Sequence, residues 1–424
     1  MEGERVQFHP MKLDTRSLSR RTQDLLAGKS VPEYLVRQFE GSKSAYDAKT
    51  NPDGYIGLCV AENKLVSDVV ADRLNRVAAA PASVLGYDAM TGSMRFREQL
   101  GRFMGRTFLG RVFPPQRISV LAGAGSVLEI LFHALGDPDD GVLVPTPSYA
   151  GFWMDLELRN ELRIVSVHTS ADDGFRLSPE LLDRAADGAG RPVKALLLTT
   201  PDNPLGRVYT ADELDAILSW AEGRGLHVVA DEIYALSVYG DRPFTSCAEV
   251  RPELGDHLHI VWAFSKDFGA SGLRCGVLVS ENEAVTAAVS ALAYWACCSG
   301  HTQYLLGEMV ADDAWIDGYV GRMRGLLRDS HDRLTAMLDA GRVPYLPAGA
   351  GVFVLLDLRS RLTASSWDAE RELWLRILDE VGVNLTPGAA CRVGEPGFFR
   401  LCYAGHPAAA VEAGVQRLLE VLKD

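Results

Sequence analysis

The sequence predicts an α/β protein: a mostly parallel seven-stranded sheet with helices on both faces, joined to a smaller α+β domain. Three observations carry this. Seven short segments are near-continuous apolar runs rather than alternating ones, as strands covered on both faces are. Amphipathic helical patterns lie between several of them. Beyond residue 300 the texture changes to long helical patterns with two short apolar runs. In order, the first strand is "ISVLAG" (118–123), followed by a helix beginning near Val127 and running through "SVLEILFHALG". "GVLVP" (141–145), "RIVSV" (163–167) and "ALLLTT" (195–200) are the next three strands. "ADELDAILSWAEGRG" is a helix, with Thr210 as its N-cap and Gly225 at its C-terminal end. "HVVA" (227–230), "HIVWAF" (259–264) and "CGVLVS" (275–280) complete the sheet. The later part holds the helix within "DGYVGRMRGLLRDSHDRLTAMLDA", the strand "GVFVLLDL" and the run "GFFRLCYA". The expected division is an N-terminal arm over 1–30, a large domain over 60–300, and a small domain built from 31–59 and 301–424. No internal repeat is visible.

At 424 residues the chain is long for a single core, which favours one large and one smaller domain. A net charge of −13 argues against nonspecific binding to nucleic acid or to an anionic membrane. The seven cysteines are scattered, with no CxxC and no Cys/His cluster, so no metal site is expected. Cys297 and Cys298 are adjacent and read as small packing residues, with a redox-active pair as the alternative. Reduced thiols, a polar N-terminal segment without a secretory apolar run, and no apolar stretch of membrane-spanning length make the cytoplasm the expected location.

Open α/β sheets bind ligands beyond the carboxyl ends of their strands, and the residues at those ends form a set. Ala124, Gly125 and Ser126 follow the first strand, small residues that let backbone N–H groups meet an anion at a helix N-terminus. They lack the third glycine of a dinucleotide fingerprint. Tyr149 follows the second, placed to stack on a flat ring or to pack in the core. Asn203 lies in "PDNPLG", an Asn-Pro turn. Asp231 ends an apolar strand, where a carboxylate needs a cationic partner, and Tyr234 comes three residues later. Ser265 and Lys266 follow "HIVWAF", with Arg274 eight residues beyond. A desolvated lysine is a reactive amine, and arginine presents a planar fork to a phosphate. Each residue alone has an ordinary structural use. As a set they supply what pyridoxal 5′-phosphate requires. The cradle, Ser265 and Arg274 suit its phosphate, and Lys266 its aldehyde. Asp231 suits its ring nitrogen, and Asn203 and Tyr234 its phenolic oxygen.

The order Asn203, Asp231-x-x-Tyr234, Ser265-Lys266, Arg274 resembles the fold-type I superfamily of class I and II aminotransferases, and the likeness extends over nearly all of the chain after residue 35. The resemblance implies further roles. Tyr87, with Gly92 five residues on, resembles the tyrosine that reaches the phosphate of a neighbouring subunit, which implies a homodimer with shared active sites. Arg400 of "GFFRLCYA" resembles the arginine that holds the substrate carboxylate. Ala263 stands where the superfamily usually has Ser or Gly, and Cys275 where it has an aliphatic residue.

Within the superfamily, "AYDAKTNPDGYIGLCVAENKL" (45–65), "LVPTPSYAGFWMDLELRNELRIVSV" and "FSKDFGASGLRCG" resemble 1-aminocyclopropane-1-carboxylate synthase. That likeness implies S-adenosylmethionine as substrate, with Glu62 near it alongside Arg400 and Asn203. Lys266 would take the Cα proton, with Asp231 and Tyr234 as its catalytic companions, and methylthioadenosine would leave. Lys64 replaces a usual glutamine, and Met90 the tyrosine of a "YHG" segment. These changes on the substrate side leave two expected products: 1-aminocyclopropane-1-carboxylate, or the result of trapping the C4 fragment with an external acceptor by γ-replacement or annulation. An ordinary aminotransferase acting on a simple amino acid is the alternative.

Overall fold

The computed structural model describes residues 14–28 and 31–423. Of the arm expected over 1–30, residues 1–13, 29 and 30 lie outside the described residues; a helix, Arg20–Gly28, falls within it. The strands in chain order are β1 (Ile56–Gly57), β2 (Ile118–Leu121), β3 (Gly141–Thr146), β4 (Arg163–His168), β5 (Val193–Thr199), β6 (His227–Asp231), β7 (Leu258–Ala263), β8 (Gly276–Ser280), β9 (Phe353–Asp357), β10 (Val383–Asn384), β11 (Thr386–Pro387) and β12 (Phe398–Cys402).

Strands β2 to β8 are the seven apolar runs, paired in the order β2-β8-β7-β6-β5-β3-β4. Only β8 runs against its neighbours. The sequence reads continuous apolarity there because both faces are covered. Leu121, Val142, Val144, Leu197, Val229, Val261 and Leu278 face one core with helices Ala124–Leu135 and Glu283–Leu292. Val120, Leu143, Leu196, Leu198, Val228, Ile260 and Trp262 face the other, with helices Met94–Thr107, Ala211–Gly223 and Asp313–Ala340. The first of these helices starts at Ala124 rather than near Val127, because Gly123 takes φ +93° and turns the chain immediately after the strand. Thr210 caps Ala211–Gly223 as expected: its hydroxyl accepts from the Glu213 N–H at 3.1 Å, and its own N–H donates to the Glu213 carboxylate at 2.9 Å.

The topology gathers the chemistry. Strands β2, β3, β5, β6 and β7 run the same way, so the turns after them share one edge. Because β8 runs the opposite way, the residues just before it, including Arg274, reach that same edge. Two small sheets stand apart: β11-β12-β9 is antiparallel, and β1 pairs in parallel with β10. In the first, Arg400 of β12 is registered between Leu355 and Thr386.

The opposite edge of the large sheet carries a histidine stack. His227 Nδ1 lies 3.0 Å from His259 Nε2, and His259 Nδ1 lies 2.9 Å from the Ser280 hydroxyl. His257 packs against His227, tilted by 36°, with ring centroids 4.8 Å apart. Burial and the neighbouring rings push His259 down to about 3, and burial and His257 push His227 down to about 4. Unfolded histidine titrates at about 6.5, so here the unfolded chain binds protons first. The stack's contribution to stability is complete above that value and is lost as pH falls toward 4 and below. The melting temperature of His259→Asn should therefore depend less on pH than the wild type's across this window. Equal slopes in thermal melts would contradict that account.

Candidate active site

At the first strand end, the positive φ of Gly123 is a conformation that glycine adopts without strain. No side chain caps the helix that follows, so the first-turn N–H groups of Ala124 and Gly125 are suited to an anion. A Cβ on Gly123 would strike the Arg274 guanidinium, and one on Gly276 would strike the Gly123 backbone. Glycine at both positions lets Arg274 lie across the turn, where it donates to the carbonyls of Ala122 at 3.3 Å and Ser271 at 3.1 Å. The Ser126 hydroxyl turns back to the Ala122 carbonyl at 3.2 Å.

Ala124, Gly125, Tyr149, Asn203, Asp231, Tyr234, Ser265, Lys266 and Arg274 all line one cavity of about 300 Å³. Tyr149, 37% exposed, is held edge-on by Phe152 with centroids 5.3 Å apart. Asp231 is buried, and among the described residues its carboxylate accepts only a long bond, from the Ile233 N–H at 3.3 Å. Burial pushes its carboxyl up to about 7, against the pull of the Lys266 cation. Burial, then the Arg400 charge, hold the Lys266 amine below the usual lysine range. That amine donates to the Ala61 carbonyl at 2.6 Å. Tyr234 is buried edge-on against Phe353, and its hydroxyl has no partner among the described residues.

Arg400 stands behind this wall, fully buried. It donates to the Asn203 side-chain oxygen at 3.0 Å, to the Cys59 carbonyl at 2.7 Å and to the Thr386 hydroxyl at 3.1 Å, while its Nε is unpartnered among the described residues. The segment carrying Cys59 and Ala61 continues to Glu62, which pairs with Lys64 at 3.3 Å. Tyr87 is not brought to the cavity: it is 100% exposed. Sequence reasoning missed Asp155. It lines the cavity on the short helix Phe152–Leu156, 3.0 Å from where a Gly125 side chain would begin. Burial, then Asp231 and Glu129, push its carboxyl up to about 8. Nothing in its local sequence separates it from a solvent-facing acid. Among the described residues there is no metal-binding cluster and no helix long and apolar enough to cross a membrane.

Residues 53–418 match the family described as "Aminotransferase class I and II". The chain belongs to the class I and II aminotransferase family. Curated relatives include 1-aminocyclopropane-1-carboxylate synthase 4 of Oryza sativa subsp. japonica, 34% identical over 95% of this chain and 89% of that protein. The 1-aminocyclopropane-1-carboxylate synthase of Glycine max is 36% identical over 90% of this chain and 84% of that protein. Among solved structures, a double mutant of Thermus thermophilus aspartate aminotransferase superposes with a TM-score of 0.78 at 23% identity, covering 96% of this chain and 100% of that one. The last comparison speaks to fold alone.

This family member is a pyridoxal 5′-phosphate-dependent enzyme of the 1-aminocyclopropane-1-carboxylate synthase-like kind. The residues present fit the cofactor. Among the described residues the first-turn N–H groups after Gly123, beside Arg274, have no partner outside the helix, and the Tyr234 hydroxyl has none either and calls for an acceptor.

Proposed function

We propose that the protein acts on S-adenosylmethionine, releasing methylthioadenosine. The C4 fragment then either closes to 1-aminocyclopropane-1-carboxylate or is captured by an external acceptor through γ-replacement or annulation. The observation that carries this reading is a juxtaposition. Lys266, its amine lowered by burial, shares a cavity wall with Asn203, which is bonded to the buried Arg400, in a chain related over nearly its whole length to 1-aminocyclopropane-1-carboxylate synthases.

When bound, the cofactor supplies an electron sink that makes the Cα–H of an amino acid acidic. The rest falls to the chain's own side chains. Lys266 provides the amine that would hold the cofactor and would accept the Cα proton; a lowered pKa keeps more of it neutral for both tasks. Asp231 keeps a proton on the ring nitrogen. Asn203 and Tyr234 would hold the phenolic oxygen, and Tyr149 would stack on the ring. Ala124, Gly125, Ser126, Ser265 and Arg274 hold the phosphate. Arg400 takes the substrate carboxylate with the donors left over from its bonds to Asn203, Cys59 and Thr386, and Glu62 stands near the substrate. Tyr87 completes the phosphate site of a second copy. Large apolar side chains at the surface support the homodimer: Leu85, Tyr87, Tyr294 and Trp295 are all exposed. The seven free cysteines suit a cytoplasmic protein.

Purified holoenzyme given S-adenosylmethionine should release methylthioadenosine, with the partner product identified by mass spectrometry with and without acceptors. No release under any condition, together with conversion of the cofactor to its amine form by a simple amino acid, would establish an aminotransferase instead. Tyr234→Phe should weaken cofactor binding by about 3–10-fold, the worth of one hydrogen bond. Because the hydroxyl has no partner among the described residues, the cofactor-free variant should melt no lower than the wild type. A lower melting point would show that the hydroxyl is structural.

A further inference from the structure

The amine of Lys266 is only as well placed as the backbone beneath it, and that backbone is a weak element by itself. Phe264–Asp267 is a single helical turn of four residues, and no side chain caps its start at Ala263. An isolated turn of this length does not hold its own shape in water. Its rigidity has to come from outside, and the next residue supplies it.

Asp267 is fully buried, and its carboxylate gathers three donors from two other segments. Oδ1 accepts from the Ser237 hydroxyl at 2.6 Å. Oδ2 accepts from the Leu236 N–H at 3.1 Å and from Trp262 Nε1 at 2.9 Å. The same residue's backbone carbonyl accepts from the Tyr319 hydroxyl at 2.7 Å. Tyr319 lies on the long helix Asp313–Ala340, with its ring stacked flat on Phe268 at 4.9 Å. That helix is tied to the same neighbourhood again by Arg324, which donates to the Leu236 carbonyl at 2.9 Å. Both ends of Asp267 are thus fixed, one to β7 and the turn after Tyr234, the other to the long helix. Burial pushes this carboxyl up to about 6, with the donors and Arg324 holding it down, so it is ionised at neutral pH and accepts all three bonds.

We propose that Asp267 is a positioning residue: its buried carboxylate clamps the one-turn helix so that Lys266 projects into the cavity, and its carbonyl couples that turn to the helix Asp313–Ala340. The proposal rests on Lys266 being the amine that holds the cofactor. It assigns work to a residue that touches neither cofactor nor substrate. Charge alone is not the requirement. An asparagine at 267 keeps an oxygen for the two N–H donors of Leu236 and Trp262, and its amide can donate to the Ser237 hydroxyl, which rotates to accept. An alanine leaves all three groups unpaired.

The test is the rate at which pyridoxal 5′-phosphate becomes covalently joined to the cofactor-free protein, followed by visible absorbance, with visible circular dichroism per bound cofactor and thermal melting measured alongside. Asp267→Ala should slow covalent capture on the order of 10²-fold, the usual penalty of about 1 Å of misplacement, and should reduce the dichroism. Asp267→Asn should recover most of the lost rate. Tyr319→Phe removes only the bond to the carbonyl and should slow capture several-fold; it decides the matter if Asp267→Ala does not fold. A lower melting point with capture rate and dichroism unchanged would make Asp267 merely structural and overturn the proposal, as would an asparagine no better than alanine. If the wild type itself forms no covalent link, the reading of Lys266 fails and the clamp falls with it. If the wild type forms one and the variants match it, the clamp alone fails.

Discussion

Lys266→Ala is expected to abolish methylthioadenosine release, with turnover lower by at least about 10⁴-fold, since one side chain is asked to hold the cofactor and to move the Cα proton. The fold should survive. Among the described residues the Lys266 amine makes one hydrogen bond, to the Ala61 carbonyl, and its charge is opposed by burial and by Arg400. Removing it relieves that repulsion, so the cofactor-free variant should melt at or above the wild-type temperature. In the wild type, covalent capture of the cofactor should quicken with rising pH and level off below the usual lysine value of about 10.4, because the folded chain holds the amine's pKa down. The variant should lack the visible band of the joined cofactor and regain part of the activity when a small primary amine is added. An alanine variant with substantial turnover would remove Lys266 from the mechanism.

The lysine was legible because burial writes itself into sequence locally. Most of the seven strands are near-continuous apolar runs, the edge strand β4 with its Arg163, Ser166 and His168 being the weakest, and the residues just after such a run lie at a sheet edge. That rule places Ala124, Asn203, Asp231 and Lys266 at the edge, and the set they form gives them their roles. Contacts between distant segments leave no such trace. The pairing of β1 with β10 joins residues 56–57 to 383–384 through four residues in all, too few for a pattern. The bond from Arg400 to the Cys59 carbonyl needs both small sheets in place. Asp155 and Asp267 read as ordinary acids of short helical segments. Each owes its setting to groups brought in by other elements: Asp231 and Gly125 for the one, Ser237 and Tyr319 for the other. The Ser126 hydroxyl shows the opposite limit. Its position in the turn was read from sequence, but the direction of its bond, back to Ala122, is set by the turn's geometry. Tyr87 is exposed in one chain, and its proposed role lies in a second copy.

Asp231→Asn separates stability from chemistry. In the cofactor-free protein the Asp231 carboxyl is raised to about 7, against about 3.9 in an unfolded chain. The raised value means that the folded state favours the neutral acid. Its contribution is complete below a pH of about 4 and is lost as pH climbs through about 7, where the unfolded chain surrenders the proton more readily. Asparagine is neutral throughout and close in shape, so the cofactor-free variant should be more stable than wild type above a pH of about 7, by at most about 4 kcal/mol, and should lose that advantage in acid. Function should move the other way. A neutral amide cannot keep a proton on the ring nitrogen by charge, so turnover should drop by about 10²–10³-fold, the usual cost of one lost electrostatic contact at a reacting group. Cofactor affinity, spread over Arg274, Tyr234, Asn203 and the Gly123 turn, should fall by about tenfold or less. Thermal melts against pH, with and without cofactor, and steady-state kinetics measure the two effects on the same preparation. A variant that loses cofactor affinity and turnover in equal proportion would mean that Asp231 holds the ring without charging it.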